Sequence, residues 1–98
     1  MVKVATTPFD SATYIRTPEE ASLYLSDALE SHDTSVIAAA VGTLARARGA
    51  STVAKATGVS RASLYNGLRE GGNPTLETLL RVIDELGIEL SARPKQVA

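Results

Sequence analysis

From Thr17 onward, apolar residues recur every three or four positions, in five runs separated by Gly, Pro, Asn and Asp. That spacing places each run on one face of a helix. The first run, Ala21, Leu25, Ala28 and Leu29, predicts a helix that stops near Ser31. Thr17 and Glu20 have the spacing of a capping box, and Pro18 suits the first helical position, where an N–H would go unpaired anyway. The second run, Val36, Ile37, Ala40, Val41, Leu44 and Ala45, predicts a helix from an Asp33 or Thr34 cap to about Arg48. Gly49 ends it, and Arg46 and Arg48 sit in its last turn, where cations favour the dipole. A short third helix is expected over about Ser51 to Thr57. A fourth starts after Ser60, an N-cap, and runs to Gly71 and Gly72. Asn73 and Pro74 form a turn, and Thr75 caps a fifth helix lined by Leu76, Leu79, Leu80, Ile83 and Leu86 and closed by Gly87.

The two ends differ from this pattern. The first 16 residues show no helical period, and Phe9, Tyr14 and Ile15 give them apolar anchors. The tail IELSARP alternates apolar and polar residues and predicts a strand of about five residues, unstable without a partner. The expectation is therefore an N-terminal arm, residues 1–16, and one all-α domain, residues 17–98, with five helices and a short C-terminal β-strand. No repeat and no low-complexity linker interrupts it.

Residues 50–69, ASTVAKATGVSRASLYNGLR, have the layout of a helix-turn-helix. Ala54 is small enough for two helices to cross closely. Gly58 tolerates positive φ in a short turn. Val59, Leu64 and Leu68 share a face that holds the second helix on the core. Arg61, Ala62, Tyr65, Asn66 and Arg69 then point outward, where a DNA major groove would lie.

Charge sharpens this reading. The net charge is −1, with no Cys. Residues 1–44 carry Lys3 and Arg16 against Asp10, Glu19, Glu20, Asp27, Glu30 and Asp33, a balance of −4. Residues 45–69 carry Arg46, Arg48, Lys55, Arg61 and Arg69 and no acid, a balance of +5. Residues 70–98 carry Arg81, Arg93 and Lys95 against five acids, a balance of −2. A local positive patch on a protein with little global attraction for DNA predicts weak binding away from a cognate site. The absence of Cys, the lack of a signal-peptide apolar region in MVKVATTPFD, and the shortness of the apolar run from Val36 to Val41 point to a soluble cytoplasmic protein without a membrane partner.

Each outward residue has a chemistry to offer. Arg61 and Ala62 open the fourth helix, the end that meets base edges. Arg61 can donate two parallel bonds to guanine; its rival role is a solvated surface Arg, which the helix dipole disfavours at that end. Ala62 can touch a thymine methyl. Asn66 suits adenine or a phosphate, and Tyr65 suits a phosphate or packing on the third helix. Ser51, Thr52 and the backbone around them are candidate phosphate clamps, with Ser60 beside them at the turn. Lys55, Arg46, Arg48 and Arg69 are general electrostatic contacts or solvated charges. Enzyme chemistry has little support. His32, the only histidine, sits in the polar loop ESHDT, and no phosphate-binding or metal motif is present, so no catalytic residue, metal or cofactor is expected.

The stretch from Ala45 to Leu90, AKATGVSRASLYNGL followed by GGNPTLETLLRVIDELGI, resembles the phage repressor and Cro class of DNA-binding domains. A narrower resemblance spans nearly the whole chain. FDSATYIRTPEEASLYLSDALESHD and then LARARGASTVAKATGVSRASLYNGLREGGNPTLETLLRVIDELGIEL are similar to the HigA-type antidote proteins of bacterial toxin–antitoxin modules. Its carriers are Phe9–Asp10, Tyr24–Leu25, the run Ala45–Gly49, Ser60–Arg61, Leu64–Tyr65 and Gly72–Pro74. One departure is Thr52, where many such domains carry Gln or an acid, and it puts a phosphate contact there in question. The resemblance implies a type II antitoxin that binds a RelE/ParE-like (HigB-type) ribonuclease toxin and represses its own operon by sequence-specific binding to double-stranded operator DNA, as a homodimer. The fifth helix and the tail are the interface candidates. The acidic N-terminal portion, with Phe9, Tyr14 and Tyr24, is the candidate toxin surface, because a basic toxin would be drawn to it; the same acids also fit ordinary solvated helix faces. Two other readings stay open: a stand-alone helix-turn-helix regulator without a toxin, and a protein-only inhibitor, which the acid-free stretch 45–69 disfavours.

Overall fold

A computed structural model describes residues 15–96. Among them five helices follow one another: α1 (Pro18–Glu30), α2 (Thr34–Arg48), α3 (Ala50–Thr57), α4 (Arg61–Gly67) and α5 (Leu76–Glu85). Local side-chain chemistry sets most of their starts. Thr17 and Glu20 close a reciprocal capping box on α1. The backbone N–H groups of Arg16 and Thr17 both donate to the Glu20 carboxylate, which holds its pKa below the usual range. Asp33, not Thr34, caps α2 by accepting from the N–H of Ser35. Ser60 caps α4 and Thr75 caps α5, each accepting from the N–H three residues on.

The middle helix organises the packing. α2 touches all four of the others, while α3 also packs on α4 and α5. One apolar cluster joins them, with Leu25 of α1, Val41 and Leu44 of α2, Val53 of α3, Leu64 of α4 and Val82 of α5 buried together. Ile15 packs against this cluster ahead of α1. Phe9 and Tyr14 and most of the expected arm lie outside the described residues.

Several expectations are corrected. α4 ends at Gly67, not at Gly71 and Gly72. Leu68 turns inward and is buried, and Pro74 folds back to within 3.3 Å of where a Gly67 Cβ would sit. Leu68 leaves helical geometry at φ −100°, ψ 67° while its N–H still donates to the Leu64 carbonyl, so the chain turns away after one last helical bond. The expected C-terminal strand is absent: residues 88–96 are irregular and mostly exposed. The described residues contain no other strand to pair with it, so its N–H and C=O groups have no ladder to join. The apolar stripes are also over-read. Leu29, Val36, Leu76 and Leu80 are exposed, because a 3.6-residue period marks a face without supplying anything to cover its edges. Ala38 and Val82, outside the predicted stripes, are buried instead.

The crossing of α2 with the end of α4 depends on Gly42. A Cβ there would run into the carbonyl oxygen of Leu68. Gly42→Ala should therefore destabilise the fold. Helix propensity favours Ala by about 1 kcal/mol, but overpacking a backbone contact costs up to about 3 kcal/mol. A net loss of about 2 kcal/mol is expected, read as a lower denaturant midpoint with an unchanged slope.

Candidate nucleic-acid interface

Two short helices, α3 and α4, are joined by the turn 58–60, and most of their polar side chains are exposed. The turn is held from three sides. Gly58 sits at φ 77°, left-handed, and its N–H donates to the Ala54 carbonyl. The Thr57 hydroxyl donates to the Val53 carbonyl at 2.7 Å and accepts from the Val59 N–H at 3.2 Å. From α5, Arg81 donates to the Thr57 carbonyl at 3.3 Å while its other nitrogen pairs with Glu77 at 2.6 Å. The exit from α3 is thus closed by its own side chain and by a neighbouring helix. Val59 then tucks into the core beside Leu64, which fixes the rotation of α4.

That rotation decides what faces out. Leu64 and Leu68 are buried, whereas Arg61, Ala62, Tyr65, Asn66 and Arg69 are each exposed. Ser51, Thr52 and Lys55 of α3 and Ser60 of the turn are exposed as well. The structure brings Arg61 and Tyr65 together. The guanidinium donates to the Tyr65 hydroxyl at 3.3 Å and lies 5.8 Å from the ring centroid, within reach of a cation–π attraction. Tyr65 is 52 % exposed, so it braces Arg61 more than it fills the core. The Ser60 hydroxyl is occupied by the cap, accepting from the Ser63 N–H and donating to the Ser63 hydroxyl, each at 3.0 Å.

The flanking cations differ from one another. Arg48 pairs with Glu85 at 3.5 Å and ties α2 to α5; an exposed pair of this kind is worth at most about 1 kcal/mol. Arg46 donates to the Thr43 hydroxyl, and Arg69 to the Glu70 carbonyl. Lys55 makes no ion pair among the described residues. The face as a whole presents donors and cations with no carboxylate of its own between residues 45 and 69, a chemistry suited to phosphate and base-edge acceptors. Sequence reasoning missed Arg81 and Ser63. The four-residue spacing of Glu77 and Arg81 was visible, but the contact of Arg81 with Thr57 joins distant parts of the chain.

Of the candidate toxin contacts, Tyr24 lies half-buried on α1, and Phe9 and Tyr14 lie outside the described residues. His32 is exposed on the α1–α2 loop at φ 54°. Among the described residues no cluster of His, Cys, Asp and Glu is arranged to hold a metal, and no helix is long and apolar enough to cross a membrane.

Ser60→Ala should remove the α4 cap and lower stability by about 1 kcal/mol. Thermal melting checks this, and an unchanged midpoint would show that Ser63 rearranges to replace it.

Comparison with known proteins adds a family. A family model described as "probable addiction module antidote protein" matches residues 5–94. An uncharacterized protein of Haemophilus influenzae (strain ATCC 51907 / DSM 11121 / KW20 / Rd) is 36 % identical over 90 residues, covering 92 % of this chain and 93 % of that one. No solved structure matches significantly.

Proposed function

The chain belongs to the family of probable addiction module antidote proteins, and on that premise we propose that it is a HigA-type antitoxin of a type II module. It neutralises a RelE/ParE-like (HigB-type) toxin and represses its own operon through a Cro-like helix-turn-helix built from α3 and α4. The observation that carries the DNA half is the exposed, acid-free face of α3 and α4 on a chain that is acidic elsewhere. The rival reading, a regulator without a toxin, accounts for that face equally well; family membership favours the antitoxin.

In this reading α4 enters the major groove with Arg61 leading. Arg61 donates to guanine O6 and N7, and Tyr65 holds the guanidinium at the groove until it does so. Ala62 contacts a thymine methyl and Asn66 an adenine or phosphate. Ser51, Thr52, Lys55 and Arg69 meet phosphates, so they contribute affinity and salt dependence without sequence preference, and Ser60, whose hydroxyl is engaged with Ser63, holds the start of α4 in place. Dimerisation through α5 and the tail supplies the second half-site. The support is a leucine pair four residues apart on α5, Leu76 at 69 % and Leu80 at 47 % exposure, with Leu90 exposed on the tail. Such a pair is an apolar edge that a second copy would cover.

The reading frame next to this gene provides the broadest test. It should encode a small basic protein that arrests growth alone and is silenced when this chain is co-expressed; two unrelated neighbours would favour the stand-alone regulator. For the DNA half, Arg61→Ala should weaken operator binding by about 1–3 kcal/mol and relax preference at one base pair in each half-site. A gel-shift titration with unchanged affinity and preference would remove Arg61 from the interface. For assembly, light scattering should show a dimer at micromolar concentration, binding half-sites ~34 Å apart, and Leu80→Asp should shift it to monomer.

A further inference from the structure

The helices α1 and α2 leave a groove between them that the DNA-facing surface does not use. Its volume is about 400 Å³. Tyr24 and Asp27 of α1 form one wall, Val36 and Ala39 of α2 the other, Ala40 lies in the floor, and Glu70, beyond α4, closes the rim. Ala40 is buried, and its single methyl group leaves the space above it to the groove. Val36 is 43 % exposed and Tyr24 half-buried, so each wall carries an uncovered apolar side chain among polar ones. Asp27 and Glu70 are both exposed. Among the described residues neither carboxylate has an ion-pair partner, and no Lys or Arg lines the groove. Arg69, next in sequence to Glu70, donates to that residue's backbone carbonyl instead.

We infer that this groove seats a segment of the toxin that carries Lys or Arg among apolar residues. The inference rests on the antitoxin reading and assigns it a surface. Charge selects the occupant. A phosphate backbone would be repelled by Asp27 and Glu70, whereas a cationic side chain can lay its methylene stem over the alanine floor and place its head between the two carboxylates. The flanking Tyr24 and Val36 then cover the apolar part of the segment, as in other helix-in-groove recognition. The groove also gives Tyr24 a partner-facing role that does not depend on Phe9 or Tyr14.

The test titrates purified full-length chain with the purified protein encoded by the adjacent reading frame. Replacing Asp27→Lys together with Glu70→Lys should weaken binding by about tenfold or more, as loss and reversal of complementary charge predicts. Ala39→Trp should block the groove sterically and weaken binding to a similar degree. The charge pair is fully on the surface, so it decides the matter even where the tryptophan variant fails to fold, and thermal melting identifies that case. If the wild-type chain does not bind, the antitoxin reading and this inference fall together. If it binds and the charge-reversed chain binds equally tightly, the groove assignment falls alone. A charge-reversed chain that keeps its toxin affinity but changes oligomeric state would assign the groove to a second copy and overturn the inference.

Discussion

The close approach of α2 to the end of α4 is the contact on which the rest of the fold depends. Gly42 admits the Leu68 carbonyl where any side chain would exclude it. That approach lets Leu68 join Leu64 in the core, at the residue where the backbone leaves helical geometry. It also sets the roll of α4, because Leu64 and Leu68 are anchored in the core while Arg61 and Tyr65 stay exposed. A helix touching all four neighbours has little freedom to yield, since packed interiors transmit a displacement instead of absorbing it. The face proposed for DNA is therefore positioned by residues that never reach its surface.

How much of this was legible in the sequence follows from how local each determinant is. The caps at Thr17, Asp33, Ser60 and Thr75 involve residues two or three apart, so their spacing gave the helix starts directly. The exposure of Arg61, Ala62, Tyr65, Asn66 and Arg69 was legible for the same reason: the apolar positions of that stretch, Leu64 and Leu68, lie within a few residues of them. The end of α4 was not legible. Gly71 and Gly72 are strong stop signals, but the helix stops earlier, where Leu68 leaves helical geometry and Gly72 folds back against the Gly67 carbonyl. The IELSARP alternation was real and still made no strand, since a strand needs a neighbour that one chain's pattern cannot supply. Leu76 and Leu80 obey the helical period as well as Ile83 does, yet only Ile83 is buried. Periodicity names the face; coverage depends on what else is present.

Charge is segregated along the chain more sharply than its total suggests. All the cations between residues 45 and 69 lie in a stretch without a carboxylate, and both flanks are acidic. The fold partly undoes this segregation at one place, where Glu85 of α5 reaches Arg48. Arg48 thereby becomes a strut between α2 and α5, and the proposed DNA face is left mainly to Arg61, Lys55 and Arg69. A small cationic face on an acidic body suits a repressor that must ignore most DNA, because the long-range attraction responsible for nonspecific binding grows with the number of phosphates neutralised.

The two proposed surfaces are adjacent through a single hydrogen bond. Ser35, which lines the α1–α2 groove, accepts from the Gly71 N–H at 2.7 Å. Gly71 belongs to the segment that leaves α4, and Glu70 on the groove rim is its immediate neighbour. The groove wall and the exit from α4 are therefore parts of one connected structure. Opposite charge keeps their ligands apart: a polyanion is turned away at Asp27 and Glu70, and a cationic segment is turned away at Arg61 and Lys55. The two proposed surfaces would not compete, because each repels the ligand proposed for the other, and the same core, centred on α2, holds both in place.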